Sequence, residues 1–191
     1  MVSPLIAVSL KGRPVMGSKK NGVLILGIDP GAKSGYALLH PDVTRPKEQV
    51  LLSGVLSNYS GLEIAQVMDK CVQVAEDHGL GIGAVIEDQF LRDNVNTLKK
   101  IARSSGLWQG VAESKGIPLL AYVQPQSWQT ATLHITGVKM KREELKKAAR
   151  RFVDEIHGIT VPKKDTDIAD AICLARFLSC KMAIERRLSK T

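Results

Sequence analysis

Apolar positions come first in short runs and later in helical stripes. Val23, Leu24, Ile25 and Leu26 form a continuous run that passes through Gly27 and Ile28 to Asp29, which predicts a buried strand over residues 23–29. Pro30 and Gly31 turn the chain, Ala32, Lys33 and Ser34 follow, and a second run predicts a strand over 35–40. A third strand is predicted over 49–56, and three strands with short links favour an antiparallel meander. The period then lengthens: Ile64, Ala65, Met68, Val72 and Ala75 predict a helix over 62–78, with Gly79 and Gly81 beyond its end. A strand over 82–87, a helix over 94–115 and a strand over 118–123 come next. Residues 124–140 read as loop and partial helix, 141–157 as a helix rich in Lys and Arg, 158–165 as a linker, and 167–188 as a last amphipathic helix. The order β-β-β-α-β-α-β-α-α predicts an α/β protein with a mixed five-stranded sheet flanked by helices, its first three strands antiparallel.

Composition narrows the class. With 191 residues, 44% of them hydrophobic and 24% charged, the chain can bury a sizeable core as an ordinary soluble domain. No apolar run approaches the roughly 20 residues that span a bilayer. The first 22 residues hold a short apolar patch, Leu5 to Leu10, which Lys11 and Arg13 follow instead of precede. That is a poor secretory signal and predicts a flexible extension before a single domain over 23–191. A net charge of +8 favours a polyanionic partner through phosphate neutralisation and counterion release. Cys71, Cys173 and Cys180 form no CxxC, and the first two sit in apolar helical patterns. They read as small core residues in a reducing, cytoplasmic setting.

The acids carry the chemistry. Two apolar strands close on carboxylates, Asp29 and Glu87, and a carboxylate there is costly unless paired or metal-bound. A third acidic group lies in DTDIADAI, where Asp167 and Asp170 stand three apart and share one helix face amid Ala169, Ala171 and Ile172. Taken singly, Asp29 also fits a turn before Pro-Gly, Asp167 a helix cap and Asp170 a complement to the helix dipole. Capping explains neither Asp29 nor Glu87. Clustered carboxylates repel and raise one another's pKa values, and a hard divalent cation removes that penalty. Oxygen-only ligands fit Mg²⁺ or Mn²⁺ better than zinc, and four carboxylates suggest a two-metal phosphoryl-transfer site. Asp88 points away from Glu87 by strand alternation, and Asp165 precedes the helix, so both are set aside.

GIDPGAKSGYALL, VIEDQF and DTDIADAICLA, in this order, resemble the RuvC family of Holliday junction resolvases, over about Val23 to Leu178. The resemblance implies a ribonuclease H-like fold and a homodimer that binds a four-way DNA junction. It further implies paired nicks in two opposed strands that leave 5′-phosphate and 3′-hydroxyl ends. By position, the metal-holding catalytic acids are Asp29, Glu87, Asp167 and Asp170. Phe90, three residues after Glu87, matches a Phe that wedges against bases at the junction centre, and it is one of few aromatics. Lys33, in the Asp29 turn, and Lys139 and Lys141, at a loop-to-helix junction, are candidate DNA contacts. In the family the helix after the fourth strand, here 94–115, forms the dimer contact. The loop after Asp29 is one residue shorter than the housekeeping pattern, and Trp128, read as a packing residue, stands near the place of a DNA-contacting Lys. With the extra extension, these mark a divergent, phage-type member. The same fold also serves a nuclease for other branched DNA or RNA. More distant are a phosphate-binding ATPase, for which the chain is short, and a non-catalytic junction-binding protein.

Overall fold

The computed structural model describes residues 22–88, 95–135 and 140–189. The extension up to Asn21, Phe90 and Lys139 lie outside the described residues. In chain order the elements are β1 (Val23–Asp29), β2 (Lys33–Leu39), β3 (Val50–Ser57), α1 (Gly61–Asp77), β4 (Gly81–Glu87), α2 (Val95–Ser114), β5 (Leu119–Val123), α3 (Pro125–Leu133), α4 (Arg142–His157) and α5 (Thr166–Leu188). One five-stranded sheet runs β3-β2-β1-β4-β5. β1, β2 and β3 pair antiparallel, while β4 joins β1, and β5 joins β4, in parallel. The mixed sheet and its antiparallel meander are as expected, and α1 and α2 supply the crossovers that parallel strands require.

Alternation along the strands divides the core in two. Leu24, Leu26 and Ile28 of β1 join Ala84 and Ile86 of β4 under α1 and α2, packed on Ile64, Met68, Cys71 and Trp108. Ile25 and Val85 point to the opposite face, against Trp128 of α3, Ala149 and Val153 of α4 and the apolar stripe of α5. Cys71 and Cys173 are both buried core residues, as their patterns predict. None of the described helices is long and apolar enough to cross a membrane.

Two differences from the sequence expectation have local causes. β2 starts at Lys33, not Gly35, because Lys33 and Ser34 pair with Ser57 and Leu56 at the end of β3. The partial helix after β5 is the nine-residue α3, opened by Pro125 at a position where its fixed φ suits a helix. Its buried stripe is Trp128 and Thr132 alone, too short a pattern to register as periodicity.

Glycines let α5 lie on the sheet. A Cβ on Gly27 would overlap the carbonyl of Ala171, and one on Gly35 would overlap the backbone carbonyl of Asp167. Gly35 is also the register partner of Asp29. The first turn of α5 is thus seated where β1 ends, at a separation that only glycine permits. We predict that Gly35→Ala lowers stability in urea denaturation by about 1–3 kcal/mol, the range for overpacking. Gly110→Ala, whose Cβ meets open space on α2, should be neutral or stabilising. Equal stability of Gly35→Ala and the wild type would show that α5 does not sit this close.

Candidate active site

Alternation and register place the strand acids. Asp29 shares the α5-facing side of β1 with Ile25 and Gly27, and Glu87 shares that side of β4 with Val85. Because Ile28 lies opposite Ile86 in a parallel pair, Asp29 and Glu87 end side by side at the carboxyl edge of the sheet. Ligands of open α/β sheets bind at such edges. Asp167 and Asp170 descend onto this edge from the first turns of α5. Carboxylate oxygens of Asp29, Asp167 and Asp170 lie within 4.8 Å of one another, and all three residues are partly exposed. Glu87, only 9% exposed, is the strongest charge acting on both Asp29 and Asp170. Asp167 is not the helix cap: Asp165 holds that position, without a side-chain capping bond.

The turn after Asp29 is fastened from the other side of the sheet. The Gly31 carbonyl accepts from the Tyr59 hydroxyl at 2.8 Å and from Ser104 Oγ of α2 at 3.3 Å. Ser34 Oγ lies 2.5 Å from the Tyr59 oxygen, Ser104 also touches that oxygen, and the Trp108 Nε1–H donates to it at 3.1 Å. Lys33 does not project freely. Its ammonium donates to Asp165 Oδ1 at 2.8 Å and to the Lys164 carbonyl, which ties the start of β2 to the segment before α5. Asp165, set aside in the sequence, is therefore a structural partner of the loop. Lys141 is exposed immediately before α4, with its backbone N–H on Glu144 Oε2 at 2.9 Å. Asp88 is outside the acidic group, its backbone N–H donating to the Val123 carbonyl of β5.

Two further groups touch the acids and were not legible as site residues. Lys146 Nζ donates to Asp167 Oδ1 at 3.0 Å and to Thr166 Oγ1 at 2.7 Å. The sequence offered a signal, since Lys146 falls on the inward stripe of α4 with Ala149 and Val153. Trp128 packs as expected, 2% exposed, yet its Nε1–H also donates to Glu87 Oε2 at 2.8 Å. A buried indole needs an acceptor, which was the available clue. Beside these acids lies a basic recess of about 360 Å³ lined by Lys146, Lys147, Arg150 and Lys163, with Glu143 and Thr166.

Electrostatics show what the cluster lacks. Burial holds the Asp29 carboxyl well above its usual range, and repulsion from Glu87, Asp170 and Asp167 adds to this against the opposing Lys146. Asp170 is pushed up to about 7, first by burial and then by Glu87, with Asp167 adding and Lys146 and Arg142 opposing. Carboxylates converging at this spacing, with oxygen as the donor, fit a hard divalent cation, whose charge would remove the repulsion.

A pH dependence follows. Asp29 and Asp170 bind protons more tightly in the folded cluster than in an unfolded chain, where carboxylates titrate near pH 4. Between there and about pH 7, where Asp170 titrates in the fold, the folded state holds more protons, so stability falls as pH rises through that window, and the raised Asp29 carboxyl acts in the same direction. We predict that in EDTA the melting temperature declines across this range, and that Asp29→Asn or Asp170→Asn raises it at neutral pH and flattens the decline. Scanning calorimetry checks this; no stabilisation by either variant would mean that the carboxylates are not packed together.

Comparison with known proteins accords with this geometry. The family model for crossover junction endodeoxyribonuclease RuvC matches residues 25–177. The RuvC of Protochlamydia amoebophila is 26% identical over 166 residues, covering 81% of this chain and 89% of the relative. That of Bifidobacterium adolescentis is 30% identical over 167 residues, covering 80% and 77%. Among solved structures, Thermus thermophilus RuvC superposes with a TM-score of 0.59 at 17% identity, over 84% of this chain and 96% of that one. The same protein in complex with a Holliday junction substrate gives 0.58 at 17% identity, over 83% and 96%. The ribonuclease H-like architecture expected from the motifs is the one these structures share. The chain belongs to the RuvC family of crossover junction endodeoxyribonucleases, the enzymes that resolve Holliday junctions.

Proposed function

We propose that Asp29, Glu87, Asp167 and Asp170 are the catalytic, metal-holding carboxylates with which this chain cuts four-way DNA junctions. Two opposed nicks would leave 5′-phosphate and 3′-hydroxyl ends. The observation that carries the assignment is the convergence of Asp29, Asp167 and Asp170 within 4.8 Å, with Glu87 beside them, at one edge of a RuvC-family sheet. We assign Mg²⁺ or Mn²⁺, two per site, on the basis of the all-oxygen donor set. When bound, such ions supply a lowered water pKa and charge neutralisation at the attacked phosphodiester.

The protein's own groups do the rest. Asp29 and Glu87 stand on strand ends whose backbones are fixed by the ladder, so their carboxylates are presented with little freedom. Lys146 offsets the charge of Asp167 and borders the basic recess, where Lys147, Arg150 and Lys163 can receive backbone phosphates. Exposed Lys141 lies at the start of the same helix, in place to extend that track. With one such cluster among the described residues of each chain, paired nicking calls for two copies. We assign α2 to the homodimer contact: Val95 and Leu107 are exposed on it, while Trp108 belongs to the core. The setting assigned is the bacterial cytoplasm, where the substrate DNA lies.

A labelled immobile four-way junction with Mg²⁺, and linear duplex, flap and RNA as competitors, tests the reading. Wild type should nick the junction in preference to the competitors. Asp29→Asn should bind the junction with unchanged affinity in Ca²⁺ and cut it about 100- to 1,000-fold more slowly, the scale for losing one preorganised electrostatic group. Normal Mg²⁺-dependent cleavage by Asp29→Asn would overturn the assignment.

A further inference from the structure

One hydrogen bond of the acidic site is enclosed in protein. Trp128 donates its Nε1–H to Glu87 Oε2 at 2.8 Å, with the indole 2% and Glu87 9% exposed. We infer that Trp128 is a positioning residue that sets the orientation of the Glu87 carboxylate and, through it, the cation affinity of the site. The inference rests on the reading of Glu87 as a metal ligand and adds a named residue to it.

Three properties of the contact support the role. An indole N–H only donates and carries no charge, so it can fix a carboxylate oxygen without competing electrostatically with an arriving cation. The Lys146 ammonium on Asp167 differs, being a charge on a flexible stem that also reaches Thr166. The indole is also immobile. It belongs to the core formed with Val85, Val123 and Ala169, so its N–H cannot swing away without opening that core. Finally, Glu87 has three side-chain torsions, and a carboxylate restrained before metal arrives loses less entropy on binding. Groups that orient metal ligands in this way typically change affinity by about 10- to 100-fold when removed.

The chain contains two tryptophans, Trp108 and Trp128, and they lie in different cores on opposite faces of the sheet. That makes the inference readable in light emission as well as in affinity. Titrating the full chain with Mg²⁺ in the absence of DNA should change the tryptophan emission, and the change should vanish in Trp128→Phe and persist in Trp108→Phe. Calorimetric titration should show about 10- to 100-fold weaker Mg²⁺ binding by Trp128→Phe. Junction cleavage by that variant should recover at high Mg²⁺. Replacing Trp128 by benzothienylalanine, which keeps the bicyclic ring and substitutes sulfur for the N–H, should weaken binding in the same way and covers the case in which the smaller Phe fails to fold. Glu87→Gln is run alongside. If Glu87→Gln binds Mg²⁺ as the wild type does, the ligand reading itself fails. If Glu87→Gln is weakened while the ring-preserving replacement binds within twofold of wild type, the role of Trp128 is overturned.

Discussion

The close seat of α5 on the sheet is the constraint on which the site depends. Helices normally stand off a sheet by the thickness of two layers of side chains. Here the strand side contributes none at Gly27 and Gly35, and backbone meets backbone. The cost in local strand propensity is small beside what it permits. Side chains as short as aspartate, projecting from a helix and from a strand, can converge only if their backbones are this near. Longer acids could bridge a wider gap, but with more torsions and a looser arrangement. Asp29, Asp167 and Asp170 are therefore a choice of residue type matched to a choice of spacing.

That convergence opposes stability. Carboxylates crowded at the end of a hydrophobic strand are costly by burial before they repel one another, as the raised Asp29 and Asp170 show. The fold tolerates this through several partial compensations instead of one full ion pair. Lys146 sits against Asp167, Arg142 acts on Asp170 at longer range, and Trp128 gives Glu87 a neutral donor. The remaining deficit is a driving force for cation binding. Proteins commonly hold functional groups in arrangements that the fold alone would not favour, and the crowding at this edge of the sheet supports the site proposed above.

Most of the architecture was legible because its patterns are long or sharply bounded. β1 and β4 are apolar runs ending on an acid, and the α1 stripe recurs over several turns, so their limits were readable to within a residue. The acids were legible because each breaks a pattern: a charge ending a buried strand, or a pair one turn apart amid small apolar residues. Trp128 and Lys146 break no pattern as single letters. Trp128 suits a core and Lys146 suits a basic helix, and their second role exists only once α3 and α4 are folded against β4 and α5. Lys33 has a partner that no local pattern shows. In the sequence it is a free cation beside an acid, whereas in the fold it is committed to Asp165, a residue 132 positions away.

The turn after Asp29 is held by groups from elsewhere in the chain. Its Gly31 carbonyl answers to Tyr59, which precedes α1, and to Ser104 of α2, while Ser34 closes the ring of hydroxyls. Loop length is thereby coupled to helix sequence. Adding a residue between Gly31 and Ser34 would carry one of those two groups out of reach of Tyr59, and a longer turn would need a different set of donors on α2. The Gly31–Ser34 loop and the Tyr59–Ser104–Trp108 group form one hydrogen-bonded unit, so altering either without the other would leave hydroxyls and an indole N–H facing no partner.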